Sequence, residues 1–368
     1  MEMEKKLYID DVGSYPLVEG KRDLFDNHYL LAYQYLLEND ISKLVEHRGL
    51  HYHFYEPIIY SFLMKARSGL DIINYPQHFS MHSQFMRPIT TYSLDEVTRP
   101  FLIEKEKAII PEVKVIDHYL DKLEPDELKI PGSSSSTNQV KLKICVTGPI
   151  ELYIKTELGF TVYNDLLQNF SKSVNYFIKN SILNKVHLKT AVVAIDEPSL
   201  GFIDLFNIEH EDITAALDTS LEGLPEDVTT QIHLHSLRDA EIALNSKNID
   251  VLTCEYASDP KNIISPELLE ENSKKMRLGI CRTNYNAIIG KMLEDGKNIG
   301  SGYKEQLALI DSEDKIIRTL KKGIDHYGLD NISYVGPDCG LSSWSPPQLA
   351  STLLGRVVKV VTTFLNSN

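Results

Sequence analysis

Four side chains in the C-terminal half of the chain have the chemistry of a metal shell. His233-Leu234-His235 closes one apolar run, Glu255 closes the next, and Cys339 follows the last. Side chains of a strand alternate faces with period two, so both imidazoles of a His-x-His at a strand end point the same way. Two imidazoles, a carboxylate and a thiolate offer nitrogen, oxygen and sulfur together, a set that suits the borderline softness of Zn2+. Each has a plainer reading alone. A His-x-His on a strand is often a surface pair, a lone cysteine a small buried hydrophobe, and a glutamate the partner of a lysine. Their arrival at the ends of three strands is what points to metal. A further acidic pair, Asp196-Glu197-Pro198 after the run TAVVAI, reads two ways. Carboxylates at a helix start complement its dipole, and Asp196 could equally hold a substrate ammonium group.

These residues need a scaffold that brings distant strand ends to one place. Short apolar runs recur at Leu7–Gly13, Leu70–Tyr75, Leu142–Val146, Thr190–Ile195, Thr229–Leu234, Val251–Cys254, Arg277–Cys281 and Ile332–Val335. Helical patterns lie between them, near Leu24–Leu44, Glu56–Arg67, Leu94–Leu123, Tyr163–His187, Ile213–Leu221, Leu237–Asn245, Pro266–Lys275 and Glu305–Tyr327. Strands alternating with helices form parallel βαβ units. Eight of them predict an α/β fold, a (β/α)8 TIM barrel, as a single domain over 1–368 with an N-terminal helical elaboration. A barrel carries its reactive groups at the C-terminal strand ends. Ser14, Gln77, Thr147, Asp196, His233, His235, Glu255, Arg282 and Asp338-Cys339 all fall there. The low-complexity run Gly132–Thr137 reads as a flexible surface loop over 131–139. No GxGxxG or GxxxxGK[ST] follows any run, which removes support for nucleotide binding.

Composition narrows the partners. A formal charge of −14 over 368 residues repels phosphate backbones and anionic membranes, so neither nucleic acid nor membrane is expected. The basic stretch Arg318–Lys322 reads as solvated helix surface. The four cysteines show no CxxC pair and no disulfide spacing. Met1–Lys6 is charged and lacks an apolar signal core, and no stretch approaches the ~20 apolar residues of a membrane span. The expected setting is cytoplasmic, with reduced thiols.

In this order and spacing, Val12-Gly13-Ser14-Tyr15-Pro16, Thr147-Gly148-Pro149, Ile195-Asp196-Glu197-Pro198-Ser199-Leu200 and Pro337-Asp338-Cys339-Gly340-Leu341 resemble motifs of the catalytic half of cobalamin-independent methionine synthase. The resemblance runs from first strand to last and is most specific at IDEP and PDCGL. It implies a methyl transfer to the thiol of homocysteine, with zinc holding the thiolate as nucleophile. It places His233, Glu255 and Cys339 as zinc ligands and implies that Ser14 and the Val12 backbone hold the amino acid's carboxylate and Asp196 its ammonium. Four positions depart from the family. His235 stands where the family has cysteine, Cys254 and Cys281 being alternative ligands. Gln77 stands where it has glutamate, and Lys155 where a tryptophan stacks on folate, Trp344 being a candidate for another stacking surface. Cys281-Arg282-Thr283-Asn284 lacks the histidine used in transfer. The absence of the family's N-terminal half adds a resemblance to short archaeal-type core methionine synthases.

Methyl-folate needs its N5 protonated to leave, and the missing acid argues for a methyl-corrinoid protein over a methyl-tetrahydropterin as donor. Rival readings are a zinc thiol alkyltransferase acting on coenzyme M, which lacks the ammonium that Asp196 would hold, and a non-catalytic subunit that binds homocysteine or a corrinoid protein. A uroporphyrinogen-type decarboxylase needs no metal, and an amidohydrolase carries its His-x-His on the first strand.

Overall fold

The computed structural model describes residues 7–123, 139–156, 158, 160–296, 300 and 302–367. Of the loop expected at 131–139, all but Gln139 lies outside the described residues. Eight strands form one parallel sheet: β1 (Tyr8–Ile9), β2 (Ile73–Asn74), β3 (Val140–Thr147), β4 (Leu188–Asp196), β5 (Thr229–His233), β6 (Val251–Cys254), β7 (Lys275–Cys281) and β8 (Ile332–Pro337). Their spatial order is β1-β8-β7-β6-β5-β4-β3-β2. Parallel bridges Asp10–Ile72 and Ser14–Gln77 join the two end strands and close the ring. The fold is the expected (β/α)8 barrel. Strands such as β4 are apolar on both faces because one side meets the barrel interior and the other the helix layer.

The longest pairing, β3 with β4, runs from Val140–Leu188 to Thr147–Asp196. The shortest strands, β1 and β2, adjoin. Their predicted extents, Leu7–Gly13 and Leu70–Tyr75, shrink to two residues each, and side chains join the isolated backbone bonds beyond them. Asp11 Oδ1 accepts from Asn74 N at 2.8 Å, and Asn74 Nδ2 donates to Val12 O at 2.5 Å. Buried Lys65 Nζ donates to Asp11 Oδ2 and Gly13 O, both at 2.6 Å, and to Asn74 O at 3.1 Å.

Inside the ring, the odd-numbered strands supply one interior layer that is entirely polar. Asp10 just beyond β1, Lys143 on β3, Gln231 on β5 and Arg277 on β7 are all buried. Arg277 Nε donates to Asp10 Oδ1 at 2.5 Å, and Lys143 Nζ donates to Asp10 Oδ2 at 2.9 Å and Gln231 Oε1 at 2.6 Å. Four side chains from alternate strands are the usual filling of such a barrel, although apolar residues dominate them. Here two cations and one anion leave a formal surplus of positive charge beneath the mouth.

Helix boundaries differ from the sequence pattern where breakers intervene. The predicted helix Leu24–Leu44 divides into Arg22–Leu37 and Ser42–Glu46, with Asn39 in the left-handed region at φ 57°. Leu94–Leu123 was expected as helix. Instead Ser93–Asp95 and Arg99–Ile103 form an antiparallel hairpin, and a helix begins only at Pro111. Asp95 Oδ1 accepts from Val97 N and Thr98 N at 2.8 Å each, fixing the turn, and Pro100 and Pro111 cannot sit inside a continuous helix. Glu305–Tyr327 divides into Tyr303–Leu307 and Glu313–Tyr327, because Ser312 caps the second helix through Lys315 N. Arg318, Lys321 and Lys322 lie exposed on that second helix, as expected. Among the described residues no helix is long and apolar enough to cross a membrane.

Candidate metal centre

His233 ends β5, His235 follows it, Glu255 follows β6, and Cys339 follows β8. One donor atom from each lies within 4.8 Å of the others. Cys339 Sγ stands 3.5 Å from His233 Nε2 and 4.0 Å from His235 Nε2, and His235 Nε2 stands 3.5 Å from Glu255 Oε1. Ligands at ~2.0–2.3 Å from a tetrahedral zinc are themselves roughly 3.3–3.8 Å apart; the two 3.5 Å separations match that spacing, the 4.0 Å one is slightly wider, and the donor set suits the ion. Burial, then the neighbouring His235 and the cations Arg277 and Lys143, hold His233 neutral well below the usual imidazole range. Its lone pair is thereby free for a metal. Burial and then Glu255 push the Cys339 thiol up, which makes a cation the natural fifth party to the four donors. Cys254 and Cys281 are wholly buried within β6 and β7 and take no part in the cluster.

The motif around Cys339 is built for position. Asp338 accepts from Ala257 N at 3.0 Å and Ser258 N at 2.7 Å, tying down the loop that carries Glu255. Gly279 leaves room for this carboxylate, since a Cβ there would sit 2.1 Å from Asp338 Oδ1. Gly340 packs on Ser14, and Leu341 N donates to Ser14 O at 2.8 Å, locking the last strand end to the first. Cys339 N donates to Thr283 Oγ1 at 3.1 Å.

A cavity of about 400 Å³ opens beside the cluster, and His233, His235, Cys339, Val12, Ser14, Gln77 and Asp196 all line it. The two acids of Asp196-Glu197-Pro198 point to different surroundings. Glu197 caps a neighbouring helix, Pro149–Ile154, accepting from Ile150 N at 2.9 Å and Glu151 N at 2.8 Å. Asp196 faces the cavity, and its Oδ1 has no partner among the described residues. Burial pushes its carboxyl up to about 7, with Lys143 and Arg277 pulling the other way. Thr147 stands elsewhere: buried beneath the mouth, its Oγ1 donates to Met81 O at 2.9 Å and it supports the helix Met81–Thr91 instead of lining the cavity. Arg282 is also drawn away, paired with Asp311 at 2.7 Å.

Trp344 offers no stacking surface. It is fully buried, and its Nε1 donates to Thr283 O at 2.8 Å. Lys155, where the family's tryptophan would stand, pairs with Glu151 at 3.4 Å. The same carboxylate lies 2.6 Å from His82 Nε2 and accepts from Ser199 Oγ. Against its burial, these partners hold Glu151 down at about 2. Sequence reasoning missed Arg22, Asp26, His78 and Phe79, which also line the cavity. His78 is kept neutral by burial, its pKa lowered to about 3. The only sequence signal for this group was its nearness to Ser14 and Gln77.

Fold and site define a class: (β/α)8 barrels that gather their reactive groups, here a candidate metal shell, at the C-terminal mouth. No family model matches the sequence. The chain is similar to the methionine synthase of Methanocaldococcus jannaschii, 27% identical over 209 residues that span 55% of this chain and 58% of the relative. In fold it is similar to a B12-independent methionine synthase from Shewanella sp. W3-18-1 solved with selenomethionine, with a TM-score of 0.58 at 15% identity over 98% of this chain and 99% of the other. A methyltransferase from Methanosarcina mazei aligns with a TM-score of 0.52 at 12% identity over 99% and 96% of the two chains. These likenesses support a resemblance to cobalamin-independent methionine synthases.

Proposed function

We propose that the protein is a zinc-dependent methyltransferase that moves a methyl group onto the sulfur of homocysteine, giving methionine. The observation that carries this reading is the meeting, at one cavity, of a four-donor cluster that sends His233, His235 and Cys339 into its wall and an unpartnered buried carboxylate. Such a cavity fits a small molecule with a thiol at one end and an ammonium at the other. His233, His235, Glu255 and Cys339 would hold the metal, and bound zinc supplies the lowered thiol pKa that makes a thiolate nucleophile at neutral pH. Asp196 receives the ammonium, which compensates a carboxylate that burial otherwise disfavours. Ser14 and the Val12 backbone take the carboxylate end. An ammonium-free thiol such as coenzyme M would leave Asp196 uncompensated, which favours homocysteine.

The donor we assign is a methyl-corrinoid protein in preference to a methyl-tetrahydropterin. Lys155, paired with Glu151, stands where the resemblance calls for a stacking ring, and Trp344 is buried. A methylated cobalt centre also needs no proton at the leaving atom.

The test measures zinc per chain in wild type, His235→Ala and Cys339→Ala, then methyl transfer to homocysteine from methylcobalamin and from methyl-tetrahydrofolate. Near-stoichiometric zinc lost in both variants, with turnover from methylcobalamin, is the expected result. Well-folded wild type that takes up no zinc would overturn the mechanism. Equal turnover from methyl-folate would overturn the donor assignment alone.

A further inference from the structure

Gln77 stands where the resembled family has a glutamate, and a glutamine amide has two unlike ends. Which end meets a ligand decides whether it welcomes or repels an ammonium. In this protein the choice is made behind the cavity. Gln77 Nε2 donates to Gln84 Oε1 at 2.8 Å, and Gln84 Nε2 donates to Glu112 Oε2 at 3.1 Å. Tyr29 OH reaches the same Glu112 oxygen at 3.5 Å. All four residues are buried, and only Gln77 lines the cavity.

With Glu112 ionised, the direction of this chain is fixed at its inner end. An ionised Glu112 can only accept, so Gln84 must offer it the NH2 group and turn its own oxygen toward Gln77. Burial pushes Glu112 up to about 8, so its neutral form must be considered too. There the proton can sit on Oε1, which has no partner among the described residues, while Oε2 goes on accepting from Gln84 and Tyr29. Either way the Gln77 NH2 group is engaged, and its carbonyl oxygen is the end left for the cavity. The backbone is held as well, since Gln77 N donates to Gly13 O at 3.4 Å and Gln77 O accepts from Tyr15 N at 3.3 Å.

We infer that Gln84 and Glu112 are positioning residues that present Gln77 Oε1 as a neutral acceptor for the substrate's ammonium group. The inference rests on the homocysteine reading above. It explains how the cavity recognises an ammonium with one carboxylate, Asp196, instead of two. A second carboxylate in so desolvated a place would raise the cost of keeping either one ionised. A glutamine aimed by a buried relay gives the same geometry without the second charge.

The test compares binding of homocysteine and its des-amino analogue 4-mercaptobutanoate by titration calorimetry on the zinc-loaded protein. Wild type is expected to prefer homocysteine by more than tenfold. Gln84→Met removes both relay bonds and should cut that preference by about tenfold, leaving 4-mercaptobutanoate affinity unchanged. Gln84→Asn, too short to bridge, should do the same and serves if the methionine variant fails to fold. Gln84→Glu, sharing one proton with Glu112, keeps an acceptor for Gln77 Nε2 and should keep the preference. Unchanged preference in Gln84→Met and Gln84→Asn, or its loss in Gln84→Glu to the same extent, would overturn the inference. No preference in wild type would overturn the homocysteine reading itself.

Discussion

Replacing Asp10 by Asn tests the polar layer under the mouth. Asp10 is the one anion between Arg277, 2.5 Å away, and Lys143, 2.9 Å away, and all three are buried. Asn keeps an oxygen for Arg277 but turns an NH2 group toward the Lys143 ammonium, setting donor against donor. Two uncompensated cations then remain where one was formally in surplus. Breaking a buried ion pair by removing one partner costs about 3–5 kcal/mol. With an unfolding entropy of about 2.1 cal/mol/K per residue, a chain of 368 residues loses ~0.8 kcal/mol per degree near its midpoint. The Asp10→Asn variant should therefore melt about 4–6 °C below wild type by scanning calorimetry. Lys143→Met leaves the Asp10–Arg277 pair intact and relieves the surplus charge, so it should lose less than half as much. If Asp10→Asn melts within about a degree of wild type, or Lys143→Met falls further than it does, the layer is not held together by its charges.

Other outcomes follow from the same distances. Asp196→Asn should weaken homocysteine binding by ~30-fold or more, the loss of a buried charged partner, while 4-mercaptobutanoate binds as before; calorimetry on both ligands checks it. Glu112 has a higher pKa folded, about 8, than its ordinary 4.5. Its stabilising contribution is thus full below about pH 4.5 and is lost as pH rises through about 8. Between pH 6 and 8 wild type should lose roughly 2 kcal/mol of stability that Glu112→Gln does not, read from urea midpoints. Gly148→Ala would set a Cβ 2.0 Å from Glu197 Oε1 and dislodge the cap on Ile150 and Glu151. Overpacking of this kind costs about 1–3 kcal/mol, and a melting temperature unchanged in that variant would contradict the contact.

The barrel could be read because each strand is an apolar run with a polar residue at its exit, and because His-x-His, Glu255 and Cys339 sit at exits that ring closure makes neighbours. What stayed hidden depends on contacts between distant residues. Asp338 looked like part of a reactive pair, yet it fastens the loop of Glu255. Arg282 occupied an apt strand end and is claimed by Asp311, which no local spacing foretells. Trp344, polar-edged and unique, had the chemistry of a stacking surface and is sealed in the core. The Ser93–Ile103 hairpin escaped because its two strands are short and lie within a helix-like pattern that only the prolines interrupt. Lys143 and Arg277, flanked on both sides by apolar residues within their strands, are the legible trace of the interior layer.

The seam between β1 and β2 has consequences for motion. Elsewhere the ring is closed mainly by ladders of backbone hydrogen bonds, but here two-residue strands meet through a few backbone bonds, such as Ile72 N to Ile9 O and Gln77 N to Gly13 O, and Lys65, Asp11 and Asn74 stitch the rest together. Side-chain stitches open more locally than ladders do, so amide exchange should be fastest along this edge of the barrel. The cavity straddles the difference. Val12, Ser14 and Gln77 hang from the stitched edge, while His233, Glu255 and Cys339 hang from the arc of β5, β6 and β8 on the laddered side. The metal-donor side of the cavity thus rests on the longer ladders, and the side that meets the far end of a ligand rests on the short seam, held there by the bonds from Leu341 N to Ser14 O and from Gln77 N to Gly13 O.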